Sequence, residues 1–134
     1  MTSEYFADTF YYLALMNPAD ARHVQAVRLS HDVGGRTLTT AWVLTELADG
    51  LTAVRTRTQY ARIETALYSS PHVTVLPPTD ELFWRGSALY RDRPDKTWSL
   101  TDCISFVAMK DRGITRALTG DHHFEQAGLV ALLK

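Results

Sequence analysis

Residues 99–124 read SLTDCISFVAMKDRGITRALTGDHHF. Ser99-Leu100-Thr101-Asp102 fits the Ser-x-x-Asp/Glu capping pattern, in which a hydroxyl and an acid three residues apart satisfy free backbone N–H groups at a helix start. The apolar run from Cys103 to Met109 then carries a helix to about Arg112, and Gly113 stops it. Thr115–Leu118 follows as a short β-forming run and ends in Thr119-Gly120-Asp121, which has the composition of a turn. Capped helix, glycine stop, strand and acid-bearing turn in direct succession are one step of an α/β fold.

Working outward, similar β-forming runs occur at Tyr5–Ala7, Thr37–Thr39, Val73–Leu76 and Leu129–Leu132, with helix-like segments between them. Asn17-Pro18 predicts an N-cap followed by proline at the first helical position, opening a helix through about Leu29, and Gly34-Gly35 marks a turn. Ala41–Leu47 reads as an apolar helix capped by Thr39 or Thr40, with Glu46 inside it. Another helix is expected over Thr58–Leu67, and a further one starts after Pro77-Pro78 with Thr79 or Asp80 as cap. Strands alternating with helices predict an α/β fold, a three-layer α/β/α sandwich with a central, mostly parallel sheet. Right-handed crossovers then put every strand-to-helix loop on one edge of that sheet.

The bulk numbers agree with one soluble domain over residues 1–134: 46% hydrophobic and 22% charged residues, with no internal repeat. A net charge of -1 argues against a protein held on nucleic acid by overall charge, while leaving room for a local basic patch. The start, MTSEYFADTF, shows neither a signal peptide nor a membrane segment, so a cytoplasmic protein is expected. The single cysteine, Cys103, excludes an internal disulfide and a multi-cysteine zinc site and reads as a core residue.

In open α/β sheets, ligands bind beyond the carboxyl ends of the strands. Asp8 follows the first strand, Asp121 the fourth, and Asp102 opens the helix leading into the fourth; Glu46 lies far enough into its helix to reach back to the same edge. Each has an ordinary reading too. Asp102 completes a capping box, Asp121 is a turn residue, Asp8 is a possible helix cap, and Glu46 fits an exposed helix face. Brought together, they would repel: a pair at about 4 Å is worth roughly 4 kcal/mol at an effective dielectric near 20. Such a cluster needs a cation, and oxygen ligands favour Mg²⁺ or Mn²⁺, with a water activated for attack on a phosphodiester.

Four segments, taken in order, resemble the PIN-domain family of nucleases. They are Ala7-Asp8-Thr9 after the first strand, Trp42 to Leu47 around Glu46, Ser99 to Ile104 around Asp102, and Leu118 to Phe124 around Asp121. Length and element order are similar to the small, VapC-type toxin members, which are metal-dependent ribonucleases. The resemblance implies that Asp8, Glu46, Asp102 and Asp121 are the catalytic and metal-binding set for Mg²⁺ or Mn²⁺, with the hydroxyls of Thr9 and Thr119 beside them. It also implies an RNA substrate, a homodimer and a cognate antitoxin that covers the active edge.

RNA needs cationic partners to offset its phosphates. Arg91, Arg93 and Lys96, in the polar loop before Ser99, are the candidates for substrate binding, with Arg55, Arg57 and Arg62 behind them. Trp98 reads as core or as a base-stacking residue, and Tyr11, Tyr12 and Met16 as core or dimer face. A second reading keeps the fold and drops the chemistry: a catalytically inactive PIN-fold module that binds RNA or protein. A phosphatase-like α/β fold expects a second Asp two residues after the first, where this chain has Phe10.

Overall fold

Phe6 and Ala7, Leu38 to Thr40, and Ala117 and Leu118 are all almost wholly buried, as a parallel sheet covered on both faces requires. The computed structural model describes residues 4–32 and 35–134. Five strands, β1 (Glu4–Ala7), β2 (Arg36–Thr40), β3 (Val73–Leu76), β4 (Arg116–Leu118) and β5 (Val130–Ala131), form one sheet in the order β3-β2-β1-β4-β5. Every pairing is parallel. Helices α1 (Thr9–Met16), α2 (His23–Asp32), α3 (Ala41–Asp49), α4 (Val54–Ser69), α5 (Asp80–Asp92), α6 (Leu100–Arg112) and α7 (His122–Gln126) complete the α/β/α sandwich.

Buried threonines at the end of β2 are tolerated because their hydroxyls are spent locally. Thr39 Oγ1 donates to the Ala7 carbonyl, and Thr40 Oγ1 caps α3 by accepting from Val43 N–H. The core continues through Phe6, Phe106 and Phe124, the last two meeting edge to face with centroids 5.0 Å apart. Trp98 joins them, its ring against Phe106 and its indole N–H on Gln126 Oε1, so it is core and not an exposed stacking platform. Tyr11 and Tyr12 are core as well. Cys103 is buried and free, its thiol pushed up to about 11 by burial.

The capping box at Ser99 and Asp102 is formed in both directions, and Gly113 ends α6 in the left-handed conformation at φ 65°. Asn17-Pro18, however, does not open a helix. Asn17 closes α1 through its N–H to the Leu13 carbonyl, and its side chain accepts from Ala19 N–H; Asp20 then accepts from Arg22 N–H, so α2 starts only at His23. An Asx turn and a helix N-cap use the same residue types, and here the turn wins. The helix expected over 58–67 is longer, and β5 is shorter than the Leu129–Leu132 run. Of the Gly34-Gly35 turn, Gly34 lies outside the described residues.

Candidate active site

The sheet order reverses at β1 and β4: from β1 the chain proceeds to β2 on one side, while β4 lies on the other. The crevice beyond the carboxyl ends of two such strands is where open α/β sheets bind ligands. Asp8 leaves β1 there and Asp121 leaves the turn after β4. A cleft of about 450 Å³ is lined by Asp8, Glu46, Asp102, Asp121, Thr9 and His123, with Phe10, Leu13, Thr97 and Ser99 completing it. All four sequence-predicted acids therefore share one cleft, although they come from four separate elements. A larger hollow of about 780 Å³, lined by residues such as Leu89, Phe106 and Leu129, has Asp92 as its one acid.

Each carboxylate is held by one oxygen. Asp8 Oδ2 accepts from Thr119 Oγ1 at 2.9 Å, and Glu46 Oε1 from Thr9 Oγ1 at 2.5 Å. Asp102 Oδ2 accepts from Ser99 N–H at 3.1 Å and from His123 Nδ1 at 3.0 Å; Asp121 Oδ1 accepts from His123 N–H at 2.9 Å. The second oxygen of each group takes no hydrogen bond of ordinary geometry among the described residues. Asp8, formally the N-cap of α1, makes no capping bond with its side chain. Asp102 and Asp121 do cap α6 and α7, so their ordinary roles are real, and each role occupies only one oxygen.

The electrostatics follow first from burial and then from this crowding. Burial pushes the Asp8 carboxyl from 3.8 up to about 7; the Thr119 bond opposes the rise, and the charges of Asp102 and Glu46 add to it. Glu46 is raised chiefly by burial, against its bond from Thr9 and with repulsion from Asp102 and Asp121. Asp102 is also raised, first by burial and then by Asp121, against the Ser99 N–H and His123. No Lys or Arg is among the described residues lining the cleft. Four crowded carboxylates, each with an oxygen to spare and no cationic side chain among them, fit a hard divalent cation with oxygen ligands.

Asp121, His122 and His123 also have donor atoms within 4.8 Å of one another. Both ring nitrogens of His123 are already engaged, Nδ1 by Asp102 and Nε2 by Thr97 Oγ1 at 3.2 Å, and His122 is largely exposed. This argues against a histidine-dependent zinc centre. It also makes His123 a cleft residue in its own right. Of the predicted cations, Arg91, Arg93 and Lys96 do not line the cleft. Arg93 makes a two-pronged bond to Asp95 and lies over the Trp98 ring at 5.2 Å, while Lys96 is 3.9 Å from Asp95. Arg91 lies in the last turn of α5 and not in the expected loop, because the helix continues to Asp92; the shorter loop that carries Arg93 and Lys96 leads into Thr97, which does line the cleft. Arg55, Arg57 and Arg62 are exposed on α4.

Gly120 is the steric condition for the turn. A Cβ there would lie 2.5 Å from the Phe10 ring and 2.8 Å from the Leu133 carbonyl. No helix among the described residues is long and apolar enough to cross a membrane.

Residues 5–129 match the PIN domain family. No curated protein matches. Among solved structures, the chain is similar to VapC20 of Mycobacterium tuberculosis, a toxin that cleaves the sarcin-ricin loop. Identity is 30% over 96% of this chain and 97% of that one, with a TM-score of 0.84. The chain belongs to the PIN domain family, as a VapC-type nuclease.

Proposed function

We propose that this chain is an endoribonuclease dependent on Mg²⁺ or Mn²⁺, acting as the toxin of a toxin–antitoxin pair. The observation that carries the reading is the shared arrangement of Asp8, Glu46, Asp102 and Asp121, each with one oxygen fixed by the protein and the other left to the cleft. A bound Mg²⁺ or Mn²⁺ would supply Lewis-acid activation of water and neutralise charge at the scissile phosphodiester. The chain's own contribution is to hold the acids. Thr119 and Thr9 orient Asp8 and Glu46, and the capped starts of α6 and α7 fix Asp102 and Asp121.

The substrate is RNA, and the similarity to VapC20 makes the sarcin-ricin loop the first to assay. A homodimer and a cognate antitoxin that covers the cleft are part of the same reading. Purified protein should cut RNA with Mg²⁺ or Mn²⁺ and stop in chelator. Asp8→Asn and Asp102→Asn should each abolish cutting while leaving the fold intact by circular dichroism. Cleavage that persists in chelator, or survives both substitutions, would overturn the mechanism. Absence of both cleavage and metal binding would instead support an inactive PIN-fold binding module.

A further inference from the structure

His123 is the titratable side chain among the described cleft residues that the four-acid scheme leaves without a role, and its bonds reach across two other segments of the chain. Its ring is mostly buried. Nδ1 lies 3.0 Å from Asp102 Oδ2, and Nε2 lies 3.2 Å from Thr97 Oγ1. An ionised carboxylate oxygen can only accept, so Nδ1 carries a proton; in the neutral ring Nε2 then accepts from the Thr97 hydroxyl. The ring is thus fixed in one tautomer from both ends, while its own backbone N–H is tied to Asp121 Oδ1 at 2.9 Å.

The consequence falls on Asp102. Its Oδ2 receives two hydrogens, from Ser99 N–H and from His123 Nδ1. The Ser99 bond alone leaves the carboxylate free to swing about it, because a capping bond fixes one point. A second donor on the same oxygen, arriving from α7, fixes the plane of the group and so the direction of Oδ1. We propose that His123 is a positioning residue: it holds Asp102 with Oδ1 toward the cation site, and the Thr97 hydroxyl holds His123. This rests on the metal-dependent reading above. Partners behind a metal ligand typically change metal affinity by about 10- to 100-fold when removed.

Asparagine and glutamine separate this role from simple filling of space. The Asn amide nitrogen sits near the position of Nδ1 and can still donate to Asp102, whereas the Gln amide reaches toward Thr97 and leaves Asp102 with the Ser99 bond alone. Mn²⁺ affinity of the full chain is read by electron paramagnetic resonance at fixed pH, alongside thermal melts of each variant. His123→Asn should bind Mn²⁺ within about threefold of the unsubstituted protein, and His123→Gln about tenfold or more weakly. Both should melt cooperatively. Equal affinity in the two variants, in either direction, overturns the assignment. If the unsubstituted protein binds no Mn²⁺, the metal-dependent reading itself fails, and that outcome is distinct.

Discussion

Thr119 Oγ1 donates to Asp8 Oδ2 over 2.9 Å and accepts the Asp121 backbone N–H at 3.1 Å. One hydroxyl therefore fixes both the acid that follows β1 and the turn that follows β4. Thr119 is fully buried, so a replacement that lacks the hydroxyl leaves two polar groups without this partner. Thr119→Val should weaken Mn²⁺ binding about tenfold near neutral pH, whereas Thr119→Ser, which keeps the hydroxyl, should bind normally. Because the lost bond favours the ionised carboxylate, the deficit of Thr119→Val should shrink as pH rises. A deficit that is the same at acidic and alkaline pH would contradict this, as read by Mn²⁺ titration across pH.

The Asp8 carboxyl stands at about 7 in the folded chain against an ordinary 3.8, chiefly through burial. Between those values the folded state keeps a proton that the unfolded state has released. Stability from this group is therefore complete below the unfolded value, falls as pH rises through the window, and levels off above about 7. Asp8→Asn removes the titration and retains an acceptor for Thr119. In chelator, the variant should be more stable than the unsubstituted protein at about pH 8, by an amount on the order of a few kcal/mol, and the difference should narrow at about pH 5. Urea midpoints at the two pH values check it; a variant that is less stable at both refutes it.

How much of this was legible in the sequence depends on how far apart the interacting residues are. The capping box of Ser99 and Asp102 and the Gly113 stop are local, so residue order announces them. Asp8 and Asp121 could be placed because a parallel sheet puts every strand-to-helix loop on one edge. Asn17-Pro18 misled because the same side-chain oxygen serves an Asx turn as well as a helix start. For His122 and His123, residue order left open which one stands beside the acids and which is merely exposed. The partners of His123 stand 21 and 26 residues away, and only the packing of α7 beside the start of α6 brings them to its ring. The need for glycine at 120 was equally hidden, since it is set by Phe10 and by the Leu133 carbonyl.

The crossing of α5 and α6 gives a test of the scaffold. A Cβ at Gly86 would collide with Ile104 Cγ1 and stand 3.0 Å from Ile104 Cα and 3.1 Å from its backbone nitrogen. The side chain can turn away, but the backbone atoms cannot. Alanine gains about 1 kcal/mol over glycine inside a helix, whereas overpacking costs about 1–3 kcal/mol. The clash should win here because it involves main chain. Gly86→Ala should lower stability by about 1–2 kcal/mol, with a lower urea midpoint and an unchanged slope. A midpoint that rises would mean the helices separate at no cost.

Arg91 and Lys96 are proposed to meet RNA phosphates, and Arg93 to serve chiefly as a brace. Arg93 is committed to Asp95 through two hydrogen bonds and covers the Trp98 ring, whereas Arg91 is exposed and Lys96 makes no more than a loose, 3.9 Å ion pair with Asp95. A phosphate contact carries a signature that bracing does not: each one contributes close to one unit to the dependence of log affinity on log salt. RNA binding is measured by fluorescence anisotropy in an Asp102→Asn background, so that no cleavage intervenes. Replacing Arg91 and Lys96 together by Ala should reduce the salt slope by about one to two and raise Kd most at low salt. Arg93→Ala should leave the slope nearly unchanged and lower the melting temperature. The reverse pattern, with the slope falling only for Arg93→Ala, would transfer the phosphate contact to Arg93 and withdraw it from the other two.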